Sequence, residues 1–147
     1  MHTERGEIAS EIKNAKKLHG HLGPFLVIGV RMGIIAKKTL DVSAKQHIKL
    51  RANAKIPLKP PFSCVLDGIQ ATTTCTVGNQ RLVIENSAEE ITVDFEMRNS
   101  DRRVRLSVSS SIMEELNKKI SEGPLTEKCA WDIVHMPEDQ LFTVEIQ

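Results

Sequence analysis

Two histidines separated by a single glycine, His19 and His21, are the residues of this chain whose types and spacing best suit chemistry. Neutral imidazole is a good ligand for zinc and other transition metals, and two imidazoles in one turn can point into a common space. The pair lies just before an apolar segment that begins at Pro24. If that segment is a helix, its positive N-terminal end favours the neutral, ligating form of imidazole. The alternative is a turn in which one histidine bonds to the backbone and the other is solvated.

Cys75 is a second candidate, and it lies in the segment TTTCTVGN between a predicted helix and a predicted strand. Loops at the ends of such elements often carry reactive residues. The Cys75 thiolate could be a third, soft ligand beside two imidazoles, or a nucleophile activated by a histidine base. The alternative is a small buried side chain, which is the usual fate of a single cysteine.

Asp67 and Gln70 precede this segment and stand three positions apart, so on a helix they share one side. Asp67 could orient a histidine or bind a metal directly, and the alternative for both residues is an exposed helical face. The other cysteines, Cys64 and Cys129, form no CxxC motif, and three scattered cysteines are too few to predict a disulfide framework.

The elements that must position these residues follow from the spacing of the apolar residues. Helices are predicted at 3–18, 24–40, 62–71, 111–120 and 126–135, and strands at 47–55, 81–85, 90–98, 103–109 and 141–146. Because helices and strands are mixed without strict strand–helix–strand alternation, the pattern predicts an α+β fold. Helices would pack on an antiparallel or mixed sheet.

Two of these elements carry more detailed predictions. In the first helix, four apolar residues have the spacing of a core-facing stripe: Ile8, Ile12, Ala15 and Leu18. A hairpin turn at 99–101 is expected to join two strands whose inward residues pair across the sheet. These inward residues are Val93, Phe95 and Met97 on one strand and Val104, Leu106 and Val108 on the other.

The second predicted helix is apolar nearly all round as far as Ala36, which predicts a central helix surrounded by protein. Gly29 and Gly33 form a GxxxG pattern, which lets either another element or the same helix of a second copy of the chain approach closely. The apolar run is too short to span a bilayer and Arg31 interrupts it, so no membrane association is expected.

The composition fits one domain over residues 1–147, with 40% hydrophobic and 27% charged residues. A net charge of +1 and an aromatic content of 3% provide neither a basic surface nor base-stacking platforms, so no nucleic-acid partner is expected. The charged N-terminus lacks the apolar core of a signal peptide, and a cytoplasmic location is expected.

Three segments in order, LHGHLGPFLVIGVRMG, DGIQATTTCTVGN and MPEDQLFTVE, resemble the FmdE domain family, which is named after a component of formylmethanofuran dehydrogenase. The resemblance covers about Leu18 to Glu145 and implies an α+β domain that forms homodimers. It also implies a metal-binding or active-site pocket formed by His19, His21 and Cys75. The residues that would line this pocket or support its ligands are Asp67, Gln70, Gly23, Thr74, Thr76 and Asn79.

The chain departs from the family pattern at two positions. Gly23 stands where relatives usually have cysteine, and Thr74 stands where they usually have glycine. The missing thiol removes a soft ligand or a redox partner for Cys75, which argues against a two-cysteine redox site. The sequence corresponds to the short form of the family, without the C-terminal zinc ribbon that some members carry.

Two kinds of function stay open on these grounds. The first is a metal-binding domain with a His/His/Cys pocket, zinc or another divalent transition metal, and an open position for metal-assisted chemistry on a small molecule. The second is a non-catalytic accessory module that binds a small ligand or cofactor and whose metal site has degenerated. The residues do not identify a substrate or a larger redox complex.

Overall fold

A computed structural model of the chain describes residues 3–43, 45–98 and 100–147. It contains a five-stranded sheet with helices packed against one face. The helices are α1 (Thr3–His19), α2 (Pro24–Thr39), α3 (Cys64–Thr73), α4 (Ser110–Glu122), α5 (Glu127–His135) and α6 (Glu138–Leu141). The strands are β1 (Leu50–Ile56), β2 (Leu82–Asn86), β3 (Thr92–Met97), β4 (Arg103–Val108) and β5 (Phe142–Ile146).

The strands are ordered β2-β1-β3-β4-β5, with β1 and β2 parallel and the other neighbours antiparallel. The sheet is therefore mixed, and the predicted α+β fold is confirmed. β3 and β4 have the predicted pairing, with Val93 opposite Leu106 and Phe95 opposite Val104. Buried and polar residues alternate along both strands because one face of the sheet meets helices and the other faces water. The turn predicted at 99–101 includes Asn99, which lies outside the described residues.

Three details of the predicted elements are wrong. The strand predicted at 47–55 begins only at Leu50, because 47–49 form a 3-10 turn in which Ile48 is 60% exposed. In α1, Leu18 is 58% exposed, because the inward position of the last turn belongs to His19, whose side chain is only 14% exposed. The short helix α6 was not predicted, since four residues are too few to show a helical period.

α2 lies at the centre of the helical layer and is buried along most of its length, which confirms the predicted central helix. α1, α3 and α5 pack around it. Arg31 interrupts its apolar part for a structural reason: Nη1 donates to the carbonyl oxygens of Ile133, at 3.0 Å, and Met136, and so caps the C-terminal end of α5. Among the described residues, no helix combines the length and the apolar character needed to cross a membrane.

α2 and α3 approach each other backbone to backbone at Gly29 and Gly68. A Cβ atom at Gly29 would lie 2.1 Å from the carbonyl oxygen of Val65, and a Cβ atom at Gly68 would lie 2.4 Å from the carbonyl oxygen of Leu26. A Cβ atom at Gly33 would also collide with α3. The GxxxG pattern therefore serves packing within the chain, and a homodimer would have to use another surface.

Gly29→Ala should destabilise the fold by at least about 3 kcal/mol, the upper end of the usual cost of overpacking. The added methyl group meets rigid backbone, so the two helices must separate to admit it. Gly6→Ala is the matched control, because Gly6 lies on α1 and a Cβ atom there has no neighbour within 4 Å. The control should gain roughly 0.5–1 kcal/mol from helix propensity. Urea unfolding followed by circular dichroism measures the free energy of unfolding of both variants. Equal changes in the two would contradict the close contact between α2 and α3.

Candidate metal and ligand site

The turn between α1 and α2 fixes the two histidines at the surface end of the helical layer. α1 ends at His19, and Gly20 follows with φ +102°, where its N–H donates to the carbonyl oxygen of Lys16 at 2.7 Å. Glycine is favoured in this left-handed position after a helix. Gly23 is the N-cap residue of α2 and Pro24 its first residue. Both imidazoles are therefore held between two helix ends.

His19 has one engaged ring nitrogen and one unpaired ring nitrogen. Its Nδ1 lies 2.6 Å from Asp67 Oδ2, while its Nε2 is buried and has no hydrogen-bond partner among the residues that the structure describes. In the neutral tautomer that donates its Nδ1 proton to the carboxylate, Nε2 carries the free lone pair. A carboxylate on one nitrogen and an open lone pair on the other is the arrangement of metal-binding histidines.

His21 completes a pair with His19. It is exposed, and the centres of the two rings lie 4.7 Å apart. Two imidazoles on one tetrahedral zinc ion, each bound at about 2.0–2.1 Å, would have ring centres roughly 5 Å apart. The spacing of the two rings therefore fits a shared ion.

Gly23 lies beside this pair. A Cβ atom built there would have His21 Nε2, at 3.6 Å, as its nearest neighbour. The backbone, with φ −136° and ψ 166°, is extended and accepts any residue. A side chain at position 23 would therefore extend next to the imidazole, and in this chain that space is open.

Gln70 connects the histidine pair to the loop after α3. Its Nε2 donates to Asp67 Oδ1 at 3.2 Å, and its Oε1 accepts the N–H of Val77 at 3.3 Å. The two oxygens of Asp67 thus have different partners, His19 and Gln70. This chain of hydrogen bonds fixes the carboxylate that orients His19.

Thr76 and Asn79 build the loop that follows Cys75. The N–H of Thr76 donates to Asn79 Oδ1 at 3.0 Å, and the N–H of Asn79 donates to Thr76 Oγ1 at 3.1 Å. Asn79 Nδ2 also donates to the carbonyl oxygen of Thr74 at 2.7 Å. These bonds shape the loop, so both side chains are engaged with backbone.

Cys75 is buried, and its Sγ donates to the carbonyl oxygen of Leu50 at 3.2 Å. Its N–H donates to Thr73 Oγ1, and burial raises the pKa of its thiol. Within the described ranges, no three His, Cys, Asp or Glu side chains are placed to hold one metal ion. The structure thus brings His19, His21 and Asp67 together and places Cys75 in hydrogen-bond contact with β1.

Arg81 is an organising residue that the sequence did not indicate. Its Nη1 donates to the carbonyl oxygens of His47, at 2.5 Å, and Leu50, at 3.3 Å, and its Nη2 donates to that of Thr74 at 2.8 Å. It therefore ties the start of β1 to the end of α3 around Cys75. An arginine just before a strand carries no local signal of such a role, because its partners are distant carbonyl groups.

Thr74→Gly should stabilise the protein by about 1 kcal/mol. Thr74 ends α3 with φ 59° and ψ 14°, a left-handed conformation that costs a non-glycine residue about 1–2 kcal/mol. Glycine adopts that conformation without this cost. Thr74→Ala is the control, since it removes the hydroxyl that meets Arg81 Nη2 at 3.3 Å but keeps the strain. The melting temperature should rise for Thr74→Gly and not for Thr74→Ala. A rise for Thr74→Ala would contradict the backbone strain at this position.

Comparison with known proteins finds a matching family and a similar protein. The family model FmdE, described as "Molybdenum formylmethanofuran dehydrogenase operon", matches residues 18–143. A protein of Archaeoglobus fulgidus named "Probable S-adenosyl-L-methionine-binding protein" is 27% identical over 152 aligned residues. That alignment covers 89% of this chain and 40% of the relative, so the chain spans about two-fifths of the relative's length. Since the family model matches most of the sequence, the chain belongs to the FmdE family.

Proposed function

We propose that the chain binds a divalent transition metal, zinc, at the turn between α1 and α2, with His19 Nε2 and His21 as protein ligands. One observation carries the proposal: His19 Nε2 is buried and unpaired while Nδ1 is fixed by Asp67 at 2.6 Å. A buried polar atom without a partner costs about 1–3 kcal/mol, and a metal ion would remove that cost.

Two imidazoles leave coordination positions open for a small molecule or water. When bound, the ion would polarise a carbonyl group or lower the pKa of a water molecule. Asp67 holds the His19 ring in the ligating tautomer, and Gln70 holds Asp67. The space beside Gly23 leaves room for a ligand next to His21. The proposed function is therefore the binding of a small molecule to the metal ion, followed by metal-assisted chemistry on that molecule.

Cys75 is proposed as a third ligand only in a rearranged site. Its Sγ would have to leave the Leu50 carbonyl oxygen, and its thiol would have to lose a proton although burial raises its pKa. Binding of Co²⁺ in place of zinc tests this, because a coordinating thiolate adds an intense charge-transfer band. Loss of such a band in Cys75→Ser would support ligation by Cys75.

The second candidate function is a non-catalytic module that binds a small ligand without a metal. It is favoured by the hydrogen bond that engages Cys75 and by the name of the Archaeoglobus relative, which is called a probable S-adenosyl-L-methionine-binding protein. Calorimetric titration of metal-free protein with S-adenosylmethionine separates the two. Tight binding that zinc does not change would favour this second function.

His19→Ala and His21→Ala should each abolish stoichiometric zinc binding, which untagged wild-type protein should show at about one ion per chain. Asp67→Asn should weaken zinc affinity by about 10–100-fold, the usual effect of losing a carboxylate behind a ligating histidine. His135→Ala is the matched control, since this exposed histidine stacks on Trp131 and lies on α5. Calorimetry and elemental analysis measure all four variants. Less than about one-tenth of an ion per wild-type chain after zinc supplementation would overturn the proposal.

Gly23→Cys should tighten zinc binding by at least roughly tenfold, because thiolate is a strong third ligand for zinc. The substitution is free of strain at this extended position, and its Cβ atom would lie 3.6 Å from His21 Nε2. Gly23→Ser is the control of equal size without a thiolate and should leave the affinity nearly unchanged. Competition titration against a chromogenic chelator gives both values. Equal affinities for the two variants would place the metal away from residue 23.

A further inference from the structure

A second concave site lies away from the histidines, between α1, the C-terminal half of α2 and the start of α6. Its volume is about 450 Å³. The α2 residues that line it are Arg31, Ile34, Ile35 and Lys38, which recur at helical spacing and so form one stripe. Glu7 and Ile8 of α1 and Glu138 of α6 complete the wall that matters for binding. This volume lies in the range that holds small ligands.

Arg31 supplies the main polar anchor of this cavity. It is half-buried, and among the described residues it donates hydrogen bonds only from Nη1, to the carbonyl oxygens of Ile133 and Met136. Nε and Nη2 donate no hydrogen bond to any residue that the structure describes. A guanidinium group has five donors in a planar fork that matches a carboxylate. The capping of α5 therefore leaves a part of the fork available to a ligand.

The charges of the wall select the kind of ligand. Arg31 is cationic and Glu138 is anionic, and the two groups interact electrostatically. A ligand with a single charge would be attracted by one of these two groups and repelled by the other. A molecule that carries both a carboxylate and an ammonium group can pair with both kinds of side chain.

The floor of the cavity selects the remainder of the ligand. Ile34 and Ile35 are largely buried, with 6% and 8% exposure, and Ile8 is partly buried against the core. Covering this floor with aliphatic carbon removes apolar surface from water, at about 25 cal/mol per Å². The ligand should therefore combine a zwitterionic head with an unbranched or branched aliphatic chain.

We propose that this cavity binds an aliphatic amino acid, with its carboxylate on the free donors of Arg31, its ammonium group toward Glu138 and its side chain against Ile34 and Ile35. The proposal is independent of the metal site, because it uses none of the residues around His19 and His21. Such an amino acid would be an additional ligand or effector of the domain, and binding of a metal ion at the histidines would not depend on it.

Calorimetric titration of the full chain with L-norleucine tests the proposal, with hexanoate and pentylamine as probes that lack the ammonium group or the carboxylate. L-norleucine should bind saturably at one site per chain, and each half-probe should bind at least roughly tenfold more weakly. Absence of saturable binding at millimolar concentration, or equal binding of hexanoate, would overturn the proposal.

Glu138→Gln supplies the test by substitution, since this residue is exposed and glutamine keeps its size while removing its charge. It should weaken L-norleucine at least roughly fivefold and leave hexanoate no weaker, because only the ammonium group loses its partner. Glu89→Gln, an exposed glutamate outside the cavity, should change neither. Unchanged L-norleucine binding in Glu138→Gln would contradict the assigned pose. If L-norleucine fails to bind and Glu138→Gln instead alters the sedimentation coefficient, the cavity is a contact between copies and the proposal is overturned.

His19→Ala separates this proposal from the metal function. This variant should lose zinc and keep its L-norleucine affinity, because His19 is the last residue of α1 while the cavity lies against Glu7 and Ile8 of α1 and against α2 from Arg31 onward. Loss of L-norleucine binding in a folded His19→Ala protein would show that the two sites are one, and would overturn the separate cavity.

Discussion

The contact between Gly29 on α2 and Gly68 on α3 determines where the candidate site can form. With no side chain on either residue, the two backbones touch, and a single added Cβ atom would lie within 2.4 Å of a carbonyl oxygen on the opposite helix. Asp67 directly precedes Gly68, so this close approach also brings its carboxylate to the end of α1. The hydrogen bond of 2.6 Å to His19 thus depends on the absence of two methyl groups. The packing of α2 on α3 and the position of the Asp67 carboxylate thus depend on the same two glycines.

Polar groups within the helical layer stabilise its geometry at helix ends. Lys37 donates from Nζ to Glu11 at 3.1 Å and to the carbonyl oxygen of Thr72 at 2.9 Å, so one ammonium group joins α1, α2 and α3. Arg31 does the same for α2 and α5. Both cations satisfy carbonyl groups that a helix leaves unpaired in its last turn. A helix that is otherwise apolar can therefore carry charge at low cost.

The sequence predicted the elements well because each strand and most helices have a clear period. Alternation placed Val93 and Phe95 on the inner face of β3, and Gly20 and Pro24 marked where α1 ends and α2 begins. A single period is ambiguous by one residue at a helix end, and this is why Leu18 rather than His19 was expected to face inward. Irregular segments such as 47–49 were not predictable, because their geometry is set by distant partners.

The candidate residues could be chosen from their types, but their arrangement could not be predicted. His19, His21 and Asp67 come together, and their residue types pointed to that. The orientation of Cys75 was not predictable, because it depends on a carbonyl oxygen of Leu50 that lies 25 residues away in sequence. Arg81 binds the same oxygen, so the two ends of the loop between α3 and β2 meet at one acceptor. Spacing along the chain cannot encode which of several side chains will reach a shared backbone group.

His19 is at once the last residue of α1 and the holder of a buried, unpaired nitrogen. Whenever nothing meets that nitrogen, the final turn of α1 bears a cost of about 1–3 kcal/mol that opening to water would relieve. Local opening of a helix end governs how fast its amide hydrogens exchange with solvent. The exchange rate of the amide hydrogens near His19 should therefore fall when a ligand binds this nitrogen. That rate can be followed in the intact protein, and neither a coloured metal ion nor a known substrate is needed.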